Sequence, residues 1–160
     1  MAGGKEQSAA NIANIRKDWD AAAALLRHGK DRRGAAERED AYRYGMALLH
    51  LGRGDVEAAE KEALLAFHLN PAEGEYGVLV SRIYRERGLL SMAVSAFEQV
   101  IAAPEVSPTP DMLYELATLY RDSGRFNDAR DRYLQTVAAD STHAPALRDA
   151  DQPQRRQVRQ

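Results

Sequence analysis

The chain contains no cysteine. Disulfides, thiolate nucleophiles and thiolate metal ligands are therefore excluded. Helix breakers are scarce, with 6 prolines and 11 glycines in 160 residues, while alanine is plentiful. That balance favours helix, because alanine loses no side-chain entropy on entering one. Charge of one sign is also missing: 22 basic against 24 acidic residues leave a formal net charge of -2. No global field draws such a chain onto nucleic acid or an anionic membrane. Nearly all the basic residues are arginine, which fits either phosphate or carboxylate recognition or an arginine-biased genome. Long apolar runs are absent as well. The N-terminus leads into a segment broken by Arg16, Lys17 and Asp18, so no signal peptide or membrane span is expected. With 44% hydrophobic and 29% charged residues, the composition is that of a soluble protein, expected to be cytoplasmic.

Candidate catalytic chemistry is missing too. His28, His50, His68 and His143 stand isolated, with no H-E-x-x-H or similar ligand spacing. There is no phosphate loop, no glycine-rich dinucleotide fingerprint and no G-x-S-x-G elbow. Gly52-Arg53-Gly54-Asp55 contains a tripeptide known from cell adhesion, but glycine and aspartate have structural roles in a turn at that place. The expectation is a protein that is not an enzyme, with no catalytic residue, metal or cofactor.

What the chain does have is an internal repeat. Gly54, Gly88 and Gly124 lie 34 and then 36 residues apart. In the same register fall Met46, Val80 and Leu116, then the small residues Ala47, Ser81 and Ala117, then His50, Tyr84 and Tyr120. Beyond each glycine the agreement continues through Ala59, Ala93 and Ala129, then Ala63, Phe97 and Tyr133, then Ala66, Val100 and Thr136. The two extra residues fall in the connector Pro104 to Pro110, where length is tolerated cheaply. The stretches from Asp40 to Gly52 and from Asp55 to Leu69 read as helices. Glycine between them supplies a left-handed turn, small residues allow close helix approach, and aromatics fill the space between hairpins. An accidental period in a plain helical bundle would not repeat glycine, alanine and aromatic columns together.

This pattern resembles the tetratricopeptide repeat, whose signature is a small residue, an aromatic, a glycine turn, an alanine and an aromatic on a 34-residue period. Val80-Ser81, Tyr84, Gly88, Ala93 and Phe97 form the best copy, and His50 and Ala63 make the first the weakest. The resemblance implies an all-α fold, a right-handed superhelical solenoid of antiparallel hairpins. Three repeats would fill 40–143, preceded by a helix and turn in 1–39 and followed by a short stub and a disordered tail in 144–160. Ile12, Ile15, Trp19, Ala22, Ala23 and Leu26 share one helical face, with Ser8 as a candidate cap. That segment reads as a capping helix, as a degenerate fourth repeat, or as a dimerisation or membrane-surface helix. The short stub underprotects the last repeat, which leaves open a piece of a longer protein or packing against a second copy.

In proteins with this repeat, the first helices line a concave groove that takes a peptide segment. Carried over by position, the groove would present Tyr44, Leu48 and Leu51, then Glu75, Val78, Arg82 and Arg85, then Asp111, Tyr114, Thr118 and Arg121. The positions of the family's carboxylate clamp hold Tyr44, Leu48, Leu79, Asp111 and Glu115. Two of these are acidic and disfavour a chaperone C-terminus. The expected partner is another protein or peptide with apolar anchors and acidic neighbours, bound by an adaptor or scaffold. An alternative resembles bacterial secretion-system chaperones that hold a secreted subunit. Binding of nucleic acid is not expected, and the arginines have a bland alternative in pairing with Glu75, Glu86, Asp111 and Asp122.

Overall fold

Each glycine column stops one helix and starts the next in the same way. The computed structural model describes residues 39–150. Among them lie seven helices and no strand: α1 (Glu39–Gly52), α2 (Val56–Leu69), α3 (Gly74–Glu86), α4 (Leu90–Ala102), α5 (Pro110–Asp122), α6 (Phe126–Ala139) and α7 (Ala144–Asp149). The expected Trp19 helix and the expected disordered tail beyond Ala150 lie outside the described residues.

Gly54, Gly88 and Gly124 alone take positive φ, at 79°, 75° and 82°, among the described residues. Around each, two hydrogen bonds close the helix end. The glycine N–H donates to Leu51, Arg85 or Arg121, and the next N–H donates to His50, Tyr84 or Tyr120, at 2.8 to 3.0 Å. This pairing satisfies carbonyls that a helix end would otherwise orphan. The residue after each glycine then accepts the first bond of the following helix, from Ala59, Ala93 or Ala129 at 3.0 Å. Asp55 adds a side-chain cap by accepting from Ala58 N at 3.1 Å, whereas Leu89 and Arg125 make none. In the first of these turns the Arg-Gly-Asp tripeptide thus has two structural jobs.

The chain divides into two compact units, Met1–Ile83 and Tyr84–Gln160. In the first, α1 packs against α2 with Ala47, Ala59, Ala63 and Ala66 all at 0% exposure. Small side chains at these columns are what lets two helix backbones come close. Arg43 of α1 meets Glu62 of α2 at 3.2 Å and Glu39 one turn earlier at 3.3 Å. Asp40 accepts from Asn70 Nδ2 at 3.0 Å and from Tyr76 Oη at 3.3 Å. One carboxylate thereby ties the start of α1 to the end of α2 and the first turn of α3.

In the second unit α4 packs on α5, α5 on α6 and α6 on α7. Phe97, Val100, Leu116, Leu119 and Tyr133 form its buried centre. Thr136, also buried, satisfies its hydroxyl on the carbonyl of Arg132 at 2.9 Å. The connector between α4 and α5 runs from Ala103 to Thr109, where four residues suffice between α2 and α3. Thr109 caps α5 by accepting from Met112 N at 3.2 Å, with Pro110 at the first helical position. His143 does the same for α7, its Nδ1 accepting from Ala146 N at 3.2 Å. Thr109 and His143 are 34 residues apart, so α7 begins in register as the first helix of a further hairpin.

Candidate partner-binding face

The first helices carry the residues expected to meet a partner, and these residues range from buried to exposed. In the first unit, Tyr44 is half-buried, its ring 5.0 Å from that of Tyr76. Leu48 and Leu51 are half-buried, Val78 is buried and Arg82 is exposed. Burial, and then Asp40, push the Tyr76 phenol up to about 12. The hydrogen bond from Asn70 holds the Asp40 carboxyl below its ordinary range. Leu79, a clamp position, is buried.

In the second unit the expected residues form a connected polar cluster. Arg85 donates to Asp122 at 2.8 Å. Arg121 reaches the other oxygen of Asp122 at 3.3 Å and Asp149 at 3.6 Å. Tyr114 donates to Asp149 Oδ2 at 2.8 Å and stacks against both Tyr133 at 5.6 Å and His143 at 4.9 Å. Burial and then the bond to Asp149 raise the Tyr114 phenol above its ordinary value. Thr118 is buried, its hydroxyl donating to the carbonyl of Glu115 at 2.7 Å. Asp111 is exposed and faces His143 Nε2 at 3.4 Å.

Asp149 and His143 join this cluster from outside the expected set, although the sequence carries a signal for both. Running the register past Ser141 aligns His143 with Thr109 and Asp149 with Glu115. His50, in its packing column, is half-buried. Among the described residues no group of three or more His, Asp or Glu side chains could hold a metal ion. None of the described helices is long and apolar enough to cross a membrane.

No family model matches the sequence, and a search of curated proteins finds no match. Among solved structures, the chain is similar to a thermophilic TPR protein from Thermus thermophilus. The TM-score is 0.62 at 18% identity, covering 90% of this chain and 75% of that one. At that identity the likeness is one of fold. The chain has the fold of a helical-repeat protein of the tetratricopeptide kind.

Proposed function

We propose that this chain is a non-catalytic protein–protein interaction module, an adaptor or assembly scaffold, with its partner held by the first helix of each of three repeats. The observation that carries this reading is the character of those helices. They carry aromatic and arginine side chains, the usual carriers of binding energy, at positions of matching register. Tyr44 and Tyr114 share one column, Leu48, Arg82 and Thr118 the next, and Leu51, Arg85 and Arg121 the third. Val78 and Thr118, in the same columns, are buried.

The partner segment this suits carries apolar anchors beside acidic residues. Tyr44, Leu48, Leu51 and Tyr114 meet the anchors, and Arg82, Arg85 and Arg121 meet the acids. Short segments bound this way have micromolar affinity, about -8 kcal/mol. A paired affinity capture from lysate tests the reading. The wild-type chain is compared with a variant carrying Tyr44→Ala, Arg82→Ala and Tyr114→Ala, both shown to melt cooperatively. A partner retained by the wild type and lost by the variant is the expected result. Equal recovery would move binding off the first helices.

A further inference from the structure

α7 is six residues long, far too short to be helical by itself in water. Its neighbours must therefore hold it, and they do so through one face. Ala146, Asp149 and Ala150, at i, i+3 and i+4, are 0%, 5% and 7% exposed, whereas Leu147 is 50% exposed. The alanines permit a close approach to the helices below. The carboxylate supplies the specificity, because Tyr114 of α5 donates to it at 2.8 Å and Arg121 of α5 lies 3.6 Å away. Arg148, the neighbour on α7 itself, reaches the other oxygen at 3.4 Å. An acid on a helix is thus held by the tyrosine and arginine that this second unit offers to a partner.

The register shows how much of this seat α7 leaves unused. Glu98 of α4 accepts from Tyr120 at 2.6 Å and from Arg125 at 3.1 Å. Tyr120 is the eleventh residue of α5, counted from Pro110. The residue in the Glu98 column one copy later is Leu134 of α6, which is 48% exposed. A helix lying as α7 does would bring its eleventh residue over Leu134, but α7 stops at its sixth. The eleventh residue counted from Ala144 is Gln154, with no apolar side chain to offer.

We propose that the surface of α5 and α6 beneath α7 is a docking site for a partner helix, and that α7 is its built-in occupant, displaced when the partner binds. The partner helix carries a small residue, an acid three positions on, a second small residue next to it, and an apolar or aromatic residue four positions further. It reproduces the contacts of Ala146, Asp149 and Ala150 and adds one over Leu134. This rests on the interaction-module reading and names the partner chemistry for one of its faces.

The probe is a fluorescein-labelled, amidated, alanine-rich peptide of about 16 residues, long enough to be helical in water, carrying Ala-x-x-Asp-Ala-x-x-x-Tyr at its centre. Its binding to the full chain is followed by fluorescence anisotropy. Two variants weaken the resident helix while leaving α5 and α6 intact, Ala146→Glu and Asp149→Ala, so one informative protein survives if the other misfolds. Both are expected to bind the peptide at least ~10-fold more tightly than the wild type. Tyr114→Phe in the Asp149→Ala background, or Asp→Asn in the peptide, is expected to cost ~10-fold, the scale of one hydrogen bond to a charged group. The proposal is overturned if cooperatively melting Ala146→Glu and Asp149→Ala bind no better than wild type, or if Tyr114→Phe changes nothing. Self-association of these variants without peptide binding would overturn it equally, by giving the seat to a second copy. Neither failure touches the affinity capture above, which stands or falls on the first helices together.

Discussion

Tyr133 is buried at 0% exposure, yet its hydroxyl has no hydrogen-bond partner among the described residues. Leaving a buried donor unpaired costs about 1–3 kcal/mol, so the phenol is retained against a local penalty. Tyr133→Phe removes the orphan and keeps the ring beneath Tyr114. It is expected to stabilise the chain by about 1 kcal/mol, read as a higher urea midpoint at unchanged slope. The same residue makes a prediction about pH. Burial pushes the Tyr133 phenol up to about 12, above the value of about 10 for an unfolded tyrosine. In the interval between these values the unfolded chain binds fewer protons than the folded one, so stability falls as pH rises. The contribution is complete below pH ~10 and is lost as pH passes ~12. Tyr76 and Tyr133 both ionise late in an absorbance titration, and Tyr133→Phe removes one of these late steps. A Tyr133→Phe protein that is less stable, or that keeps both late steps, would contradict this account.

At the scale of the helix, the glycine turn is the part most directly written in the chain. The three turns share φ and both hydrogen bonds. A Cβ added at Gly54, Gly88 or Gly124 would meet nothing within 4 Å. The demand for glycine is therefore conformational and not steric, since an L-residue there costs about 1–2 kcal/mol. Gly124→Ala is expected to lose that amount in urea denaturation. Gly124→Asn should lose distinctly less, because asparagine tolerates the left-handed region. Equal losses for the two would mean that space, rather than backbone conformation, holds the glycine. The neighbouring α4, α5 and α6 are joined by different means. Arg125 stacks over the Tyr120 ring at 4.5 Å and pairs with Glu98 and Asp128. That arrangement follows from no period, because the equivalent of Arg125 is Asp55 in one copy and Leu89 in the other.

For the molecule as a whole, the columns of the repeat made the helices legible and left the face above them partly hidden. The buried alanines at 47, 59, 93, 117 and 129 recur because backbone approach is the same in each copy. Exposure does not recur, as Leu48, Arg82 and Thr118 show. They share a column, yet they are half-buried, exposed and buried respectively. A period fixes where a Cα lies, and the side chain placed there together with its neighbours decides what reaches solvent. Asp149 escaped because its meaning depends on Tyr114 and Arg121, 35 and 28 residues earlier. Only the packing of α7 makes them neighbours. The arginine pairing with Asp122 was legible as an alternative to partner binding, and both roles are compatible. An exposed pair such as Arg85 with Asp122 contributes at most about 1 kcal/mol, so an acidic partner can exchange with it.

The central claim is that a partner protein is held by the first helices of the repeats. Site-specific photo-crosslinking tests it most directly, with the reactive residue placed at Arg82 on α3 or at Lys61 on α2, both exposed. A crosslinked partner band from position 82 and none from position 61 is the expected result. A band from 61 with none from 82 would place the partner on a second helix and contradict the claim.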